Sequence, residues 1–202
     1  MNLSELQVYV MCHNTAPNSF LSRWLSGKKL DWKRGSQVGF SVDVARNQTI
    51  NQFLLDDVPR GKKHLLMLDH DMVPTIQTTA MLADPHELIF SRYVCSGGCS
   101  HSAETVPAGC FRISATLLQQ FQKPVFKVTT NENRDLIVGC ECLHFNMQLK
   151  SLGIEPKHVA DIGHQQGGDA GIVFFPSTNR LGYEFCWPNE LPYSEILTHG
   201  RE

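Results

Sequence analysis

No stretch of this sequence approaches the roughly 18 consecutive apolar residues that a membrane-spanning helix needs. No basic segment precedes the apolar stretch near the amino terminus, so a secretory leader is not expected and the cytoplasm is the expected location. Internal repeats and low-complexity tracts are also missing. A Gly-rich phosphate loop near the amino terminus is lacking, which disfavours a sugar nucleotidyltransferase. Charge is sparse: 19% of residues are charged and the net charge is −2, so nothing marks the whole chain as a nucleic-acid binder.

What remains is an ordinary globule. A chain of 202 residues with 42% hydrophobic content can bury one sizeable core. Seven cysteines are an odd number, and without an export signal they are expected to be reduced thiols. Charge is uneven along the chain. Residues 1–63 hold nine basic and five acidic side chains, whereas residues 64–202 hold nine and fifteen. That asymmetry suits an anionic ligand at one end and a cation at the other, although such imbalances are common.

The pattern of apolar residues predicts alternating strands and helices. Residues 7–11 and 38–42 read as strands, and Asp43 is placed to cap a helix running to about Leu55. Residues 64–68 are almost wholly apolar, the signature of a central strand covered on both faces. Pro74 and Thr75 then open a short helix to about Leu82. Residues 87–94, 106–113 and 124–128 read as further strands, with the Gly97-Gly98 turn between the first two and a helix from Ser114 to about Phe121. Leu143, Met147 and Leu149 recur at helical intervals over residues 141–152, ahead of a stop at Gly153. Residues 165–168 read as a flexible linker or lid, and Trp187 and Tyr193 leave the tail something to pack. The expected fold is therefore α/β, with a mostly parallel, Rossmann-like central sheet flanked by helices.

In such sheets, ligands sit beyond the carboxyl ends of the strands. Asp69-His70-Asp71 falls at that end of the most apolar strand. Two carboxylates two residues apart, leaving a strand into a turn, can meet at one hard cation of the Mg²⁺ or Mn²⁺ type, which also binds phosphate oxygens. The plainer reading is a surface turn with two solvated aspartates.

The string from Leu66 through Asp69-His70-Asp71 to Pro74 resembles the metal-binding segment of GT-A-fold glycosyltransferases of the family 2 type, small bacterial and phage members in particular. Val44-Ala45-Arg46-Asn47 is similar to the helix-opening segment that precedes it in that family. Val106-Pro107-Ala108-Gly109-Cys110-Phe111-Arg112-Ile113 is similar to its Gly-containing acceptor-side strand. Glu141, Phe145, Gly153 and His164 fit the spacing of a later helix and a histidine-ended strand. The resemblance spans roughly residues 7–164, with residues 165–202 as an extension or lid packed on the same domain.

This resemblance implies a donor that is a nucleotide-diphosphate sugar and an acceptor bearing a hydroxyl: a glycan, a small molecule, a protein or a modified DNA base, with inversion at the sugar. It implies that Asp71, helped by Asp69, and His164 hold Mn²⁺ or Mg²⁺. Arg46 and Asp69 would approach the nucleotide, and Cys12, His13 and Asn14 would lie near base and ribose. In the family the catalytic base is an Asp following Glu; here that position is Cys142, so Glu141 is the favoured base. Asp135, Asp161 and Asp169 remain alternatives, and so does a catalytically silent nucleotide-sugar-binding module. A further alternative is a zinc-stabilised interaction domain built on Cys95, Cys99, His101 and Cys110, whose spacing matches no common zinc module. Cys140 and Cys142 are two apart near a helix start and are not expected to face one another.

Overall fold

A computed structural model describes residues 2–12, 16–35, 41–94, 105–133, 137–168, 170–177 and 183–188. Six strands form the central sheet: β1 (Leu6–Met11), β2 (Trp32–Arg34), β3 (His64–Asp69), β5 (Leu88–Arg92), β6 (Cys110–Ser114) and β9 (Lys157–Asp161), with β4 (Met72–Val73) leading elsewhere. Their order is β2-β1-β3-β6-β5-β9. Neighbours pair in parallel except where β6 runs antiparallel to both β3 and β5. The sheet is thus mostly parallel, with one reversed strand inside it.

Period-2 alternation explains the near-continuous apolar strands. Tyr9, Met11, Leu65 and Met67 point into one cluster, which also holds Phe111, Phe126 and Phe145. Val8, Val10, Leu66 and Leu68 point into a second cluster with Leu21, Trp24 and Leu25. Both faces of β3 are therefore dry. Helix α1 (Ser19–Gly27) covers the second face; Asn18 caps it by accepting the Leu21 N–H at 2.8 Å. Helices α2 (Val42–Gln52) and α4 (Glu141–Ser151) carry residues of the first cluster, and the short α3 (Ala115–Leu118) follows β6, capped by Ser114.

A second sheet leaves the first at β4. It pairs β4 with β10 (Gly163–Gln166), then β11 (Ile172–Pro176), then β12 (Tyr183–Cys186), all antiparallel. A small hairpin joins β7 (Thr129–Thr130) to β8 (Ile137–Gly139). No helix among the described residues is long and apolar enough to cross a membrane.

Several local expectations are corrected. Val42 opens α2 and does not end a strand; residues 38–40 lie outside the described residues. Ser41, not Asp43, is the N-cap of α2, and Asp43 instead accepts the Val128 N–H at 3.0 Å, fastening residue 128 to the helix start. The helical path beyond Gln52 widens into a π turn, Phe53–Asp57. Residues 124–128 are not a strand but a bend that begins at a cis Lys123–Pro124 bond. On α4 Leu149 is buried as expected, together with Cys142 and Phe145, whereas Leu143 and Met147 are exposed. Gln165 and Gln166 belong to β10 rather than to a linker, with the turn following at Gly167 and Gly168, both at positive φ.

Candidate functional site

Asp69 ends β3 and Asp71 precedes β4, so the triplet is the joint between the two sheets. Register then decides its neighbours. In the β4–β10 pair, Gly163 lies opposite Val73 and His164 opposite Met72, and the Gln165 N–H donates to the Asp71 carbonyl at 2.9 Å. This antiparallel pairing carries His164 from 93 residues away to 3.1 Å from Asp71, Nε2 to Oδ2.

The other imidazole nitrogen fixes the ring. His164 Nδ1 lies 2.7 Å from the Val94 carbonyl, which can only accept, so Nδ1 carries a hydrogen. Nε2 therefore offers Asp71 either a second N–H, as imidazolium, or a lone pair beside the carboxylate. The Tyr93 ring meets the imidazole edge-on, with centroids 5.3 Å apart. Burial opposes charge on both partners, yet their mutual hydrogen bond and attraction outweigh it. Asp71 is held below the usual carboxylate range and His164 above the usual imidazole range.

The pair opens on a cleft of ≈ 580 Å³, lined by Pro17, Asn18, His70 and residues 165–168 among others. Asn18, 7% exposed, lines it with a buried Nδ2 that has no hydrogen-bond partner among the described residues.

Asp69 faces a different set of groups. Arg46, 2% exposed, grips both its oxygens, Nη1 to Oδ1 at 2.9 Å and Nη2 to Oδ2 at 3.0 Å. The same guanidinium reaches toward Glu141, Nε to Oε1 at 3.8 Å. Arg46 lies on α2 and Glu141 starts α4, so two helices are tied to the end of β3 through one buried cation. Gly109 completes the wall: its N–H donates to Tyr93 Oη at 3.1 Å, and a Cβ there would fall 2.5 Å from that oxygen and 2.6 Å from Asp69 Oδ2. Only glycine lets the three approach so closely.

The structure thus separates the predicted site residues into two groups. Asp71 and His164 meet; Arg46, Asp69 and Glu141 meet; His13 and Asn14 lie outside the described residues. Cys12 is packed in the second apolar cluster, where burial pushes its thiol up. Of the alternative bases, Asp161 is held by Arg92 at 2.9 and 3.0 Å, while Asp135 and Asp169 are outside the described residues. So are Cys95, Cys99 and His101; Cys110 is a buried thiol in β6. Tyr93, Asn18 and the Val94 carbonyl were not anticipated, because single loop residues carry no periodic signal.

Among the described residues, the trio of potential metal ligands whose atoms gather within 4.8 Å is Cys140, Glu141 and Cys142. This corrects the expectation that the two thiols do not face one another. Cys140 is the extended N-cap of α4, φ −76° and ψ 164°, and so does not follow the helical 100° turn. Cys142 Sγ accepts the Ala108 N–H at 3.3 Å, and burial, then the charge of Glu141, push its thiol up.

No protein-family model matches this sequence, and no curated protein does either. Among solved structures, the chain is similar to A197 from STIV, with a TM-score of 0.64 and 13% identity over 92% of this chain and 95% of that one. At that identity the likeness concerns the fold, and it covers nearly the whole of both chains. A glycosyltransferase involved in the glycosylation of the major capsid of PBCV-1 aligns with 56% of this chain and 62% of that one, at a TM-score of 0.39 and 12% identity, too slight to carry an argument.

Proposed function

We propose that the protein is a metal-dependent glycosyltransferase that moves a sugar from a nucleotide-diphosphate donor to a hydroxyl acceptor with inversion. The observation that carries this reading is the Asp71–His164 pair, with Nδ1 committed to the Val94 carbonyl and Nε2 beside a carboxylate oxygen at the mouth of the cleft. An oxygen and a nitrogen 3.1 Å apart match adjacent ligands of an octahedral cation, which at bonds of about 2.1 Å lie roughly 3.0 Å from one another. A carboxylate with a neutral imidazole suits Mn²⁺ better than Mg²⁺. Two protein ligands leave positions for phosphate oxygens, and the bound cation would offset charge on the departing diphosphate.

In this reading Asp69 is not a metal ligand. Its carboxylate is neutralised by Arg46, which in turn holds the end of β3 against Glu141. Glu141, half-buried at the first turn of α4, is the base that accepts the acceptor's hydroxyl proton. Cys142 cannot serve, because its sulfur is buried against the Ala108 amide. The acceptor belongs to one of the hydroxyl classes: glycan, small molecule, protein or modified DNA base.

The test is turnover of a panel of nucleotide sugars with Mn²⁺, followed by release of nucleoside diphosphate. Glu141→Gln should spare donor binding and abolish transfer. Tight donor binding with neither transfer nor slow donor hydrolysis in the wild type would favour instead the silent binding module that Cys142 suggests.

A further inference from the structure

We infer that Cys140, Glu141 and Cys142 form a second cation site, for a thiophilic divalent ion of the zinc class, and that filling it withdraws the Glu141 carboxylate from catalysis. The site needs little rearrangement, since the three ligand atoms already lie within 4.8 Å of one another. Two sulfurs and one carboxylate oxygen select a borderline-soft ion over Mn²⁺ or Mg²⁺, which separates this site chemically from Asp71–His164. Three protein ligands leave a fourth tetrahedral position for water.

The surroundings suit the charge. Two thiolates, one carboxylate and a dication sum to −1. The Arg46 Nε–H, buried and without a hydrogen-bond partner among the described residues, lies 3.8 Å from Glu141 Oε1 and moderates that charge, although the same guanidinium also pairs with Asp69. The Ala108 N–H already points at Cys142 Sγ, the kind of second contact that orients a metal-bound ligand. Cys140 makes no capping hydrogen bond with its side chain and packs at the edge of the first apolar cluster. Cys140 and Glu141 are half-buried, giving an ion access, while Cys142 forms the floor at 4% exposed. On binding, two metal–sulfur bonds and one metal–oxygen bond form, and the two thiol protons leave to solvent. Nothing is oxidised or reduced.

The metal site stands on geometry alone; the inhibitory half rests on the reading of Glu141 as the base. Both are tested on the full chain stripped of metal and titrated with Co²⁺. One equivalent should produce sulfur-to-cobalt charge-transfer absorption that Zn²⁺ removes and excess Mn²⁺ does not. Cys140→Ser should weaken Co²⁺ binding on the order of a hundredfold or more, since even outer-shell partners are worth roughly ten- to a hundredfold. Cys142→Ser should abolish the band, and Asp71→Ala should leave it intact. No band in the wild type, or a band that persists in both cysteine variants, overturns the site; so does its loss in Asp71→Ala. Zn²⁺ should suppress Mn²⁺-supported transfer in the wild type and much less in Cys140→Ser. If Zn²⁺ binds through these cysteines yet transfer proceeds, the site is real and the inhibitory role is wrong.

Discussion

Asp69 and Asp71 are two residues apart in sequence and occupy opposite electrostatic settings. Asp69 meets a permanent countercharge, a guanidinium 2% exposed that holds both carboxylate oxygens. Asp71 meets an imidazole, whose proton can be exchanged for a cation, and it looks onto a cleft. The difference teaches that an Asp-X-Asp spacing does not give two carboxylates equal surroundings. An Arg cannot be deprotonated, so Asp69 keeps its countercharge, whereas the partner of Asp71 is a group that can lose its proton.

Removing the permanent charge should have the largest effect on stability. Arg46→Met leaves the Asp69 carboxylate without its partner, and breaking such a pair typically costs about 3–5 kcal/mol. For a chain of this size the melting temperature should fall by roughly 6–20 °C. Scanning calorimetry on Arg46→Met and on the double variant with Asp69→Asn checks this: the second change should recover part of the loss. Equal melting temperatures for wild type and Arg46→Met would show that Asp69 is solvated after all.

Gly109→Ala comes next, because its Cβ would intrude on both Tyr93 Oη and Asp69 Oδ2. Overpacking of this kind costs about 1–3 kcal/mol, read as a lower midpoint in urea. On the other side of the comparison, His164→Gln should cost about 1–3 kcal/mol, because it removes a buried group bonded to Val94 and Asp71, and it should weaken Mn²⁺ binding on the order of a hundredfold or more, at least about 2.8 kcal/mol. Calorimetric Mn²⁺ titration decides it, and an unchanged affinity would remove His164 from the cation site.

The smallest effect lies at the far end of the same strand. His64 opens β3 with a buried Nδ1 that has no hydrogen-bond partner among the described residues. Burial, then the charge of Arg112, hold its pKa below 6.5. The unfolded chain therefore binds a proton that the folded chain resists, so this contribution is present above about pH 6.5 and is lost as pH falls below it. Stability of His64→Leu measured between pH 7 and pH 5 should slope less than that of the wild type. Parallel slopes would mean that His64 protonates freely.

How much of this was legible in the sequence depended on range. The apolar 64–68 run announced β3, and the order of strands and helices announced a mostly parallel α/β sheet. The exposed edge strand Trp32–Arg34 escaped notice because three half-solvated residues leave no periodic trace. On α4 the apolar residues Leu143 and Met147 misled, since the sheet takes the face of Cys142, Phe145 and Leu149. At the site, Asp69, Asp71, Arg46, Glu141 and His164 are all legible as candidates. Their division into two groups was not readable, because it follows from the β4–β10 register and from the direction in which Arg46 enters from α2. Those are long-range facts that no local spacing encodes.

The most direct test of the central claim is calorimetric titration of the protein with nucleotide-diphosphate sugars, with and without Mn²⁺, in the wild type and in Asp71→Ala. The account predicts a donor that binds only with Mn²⁺ and whose binding is lost in Asp71→Ala. Donor binding that ignores Mn²⁺, or that survives Asp71→Ala unchanged, would contradict it.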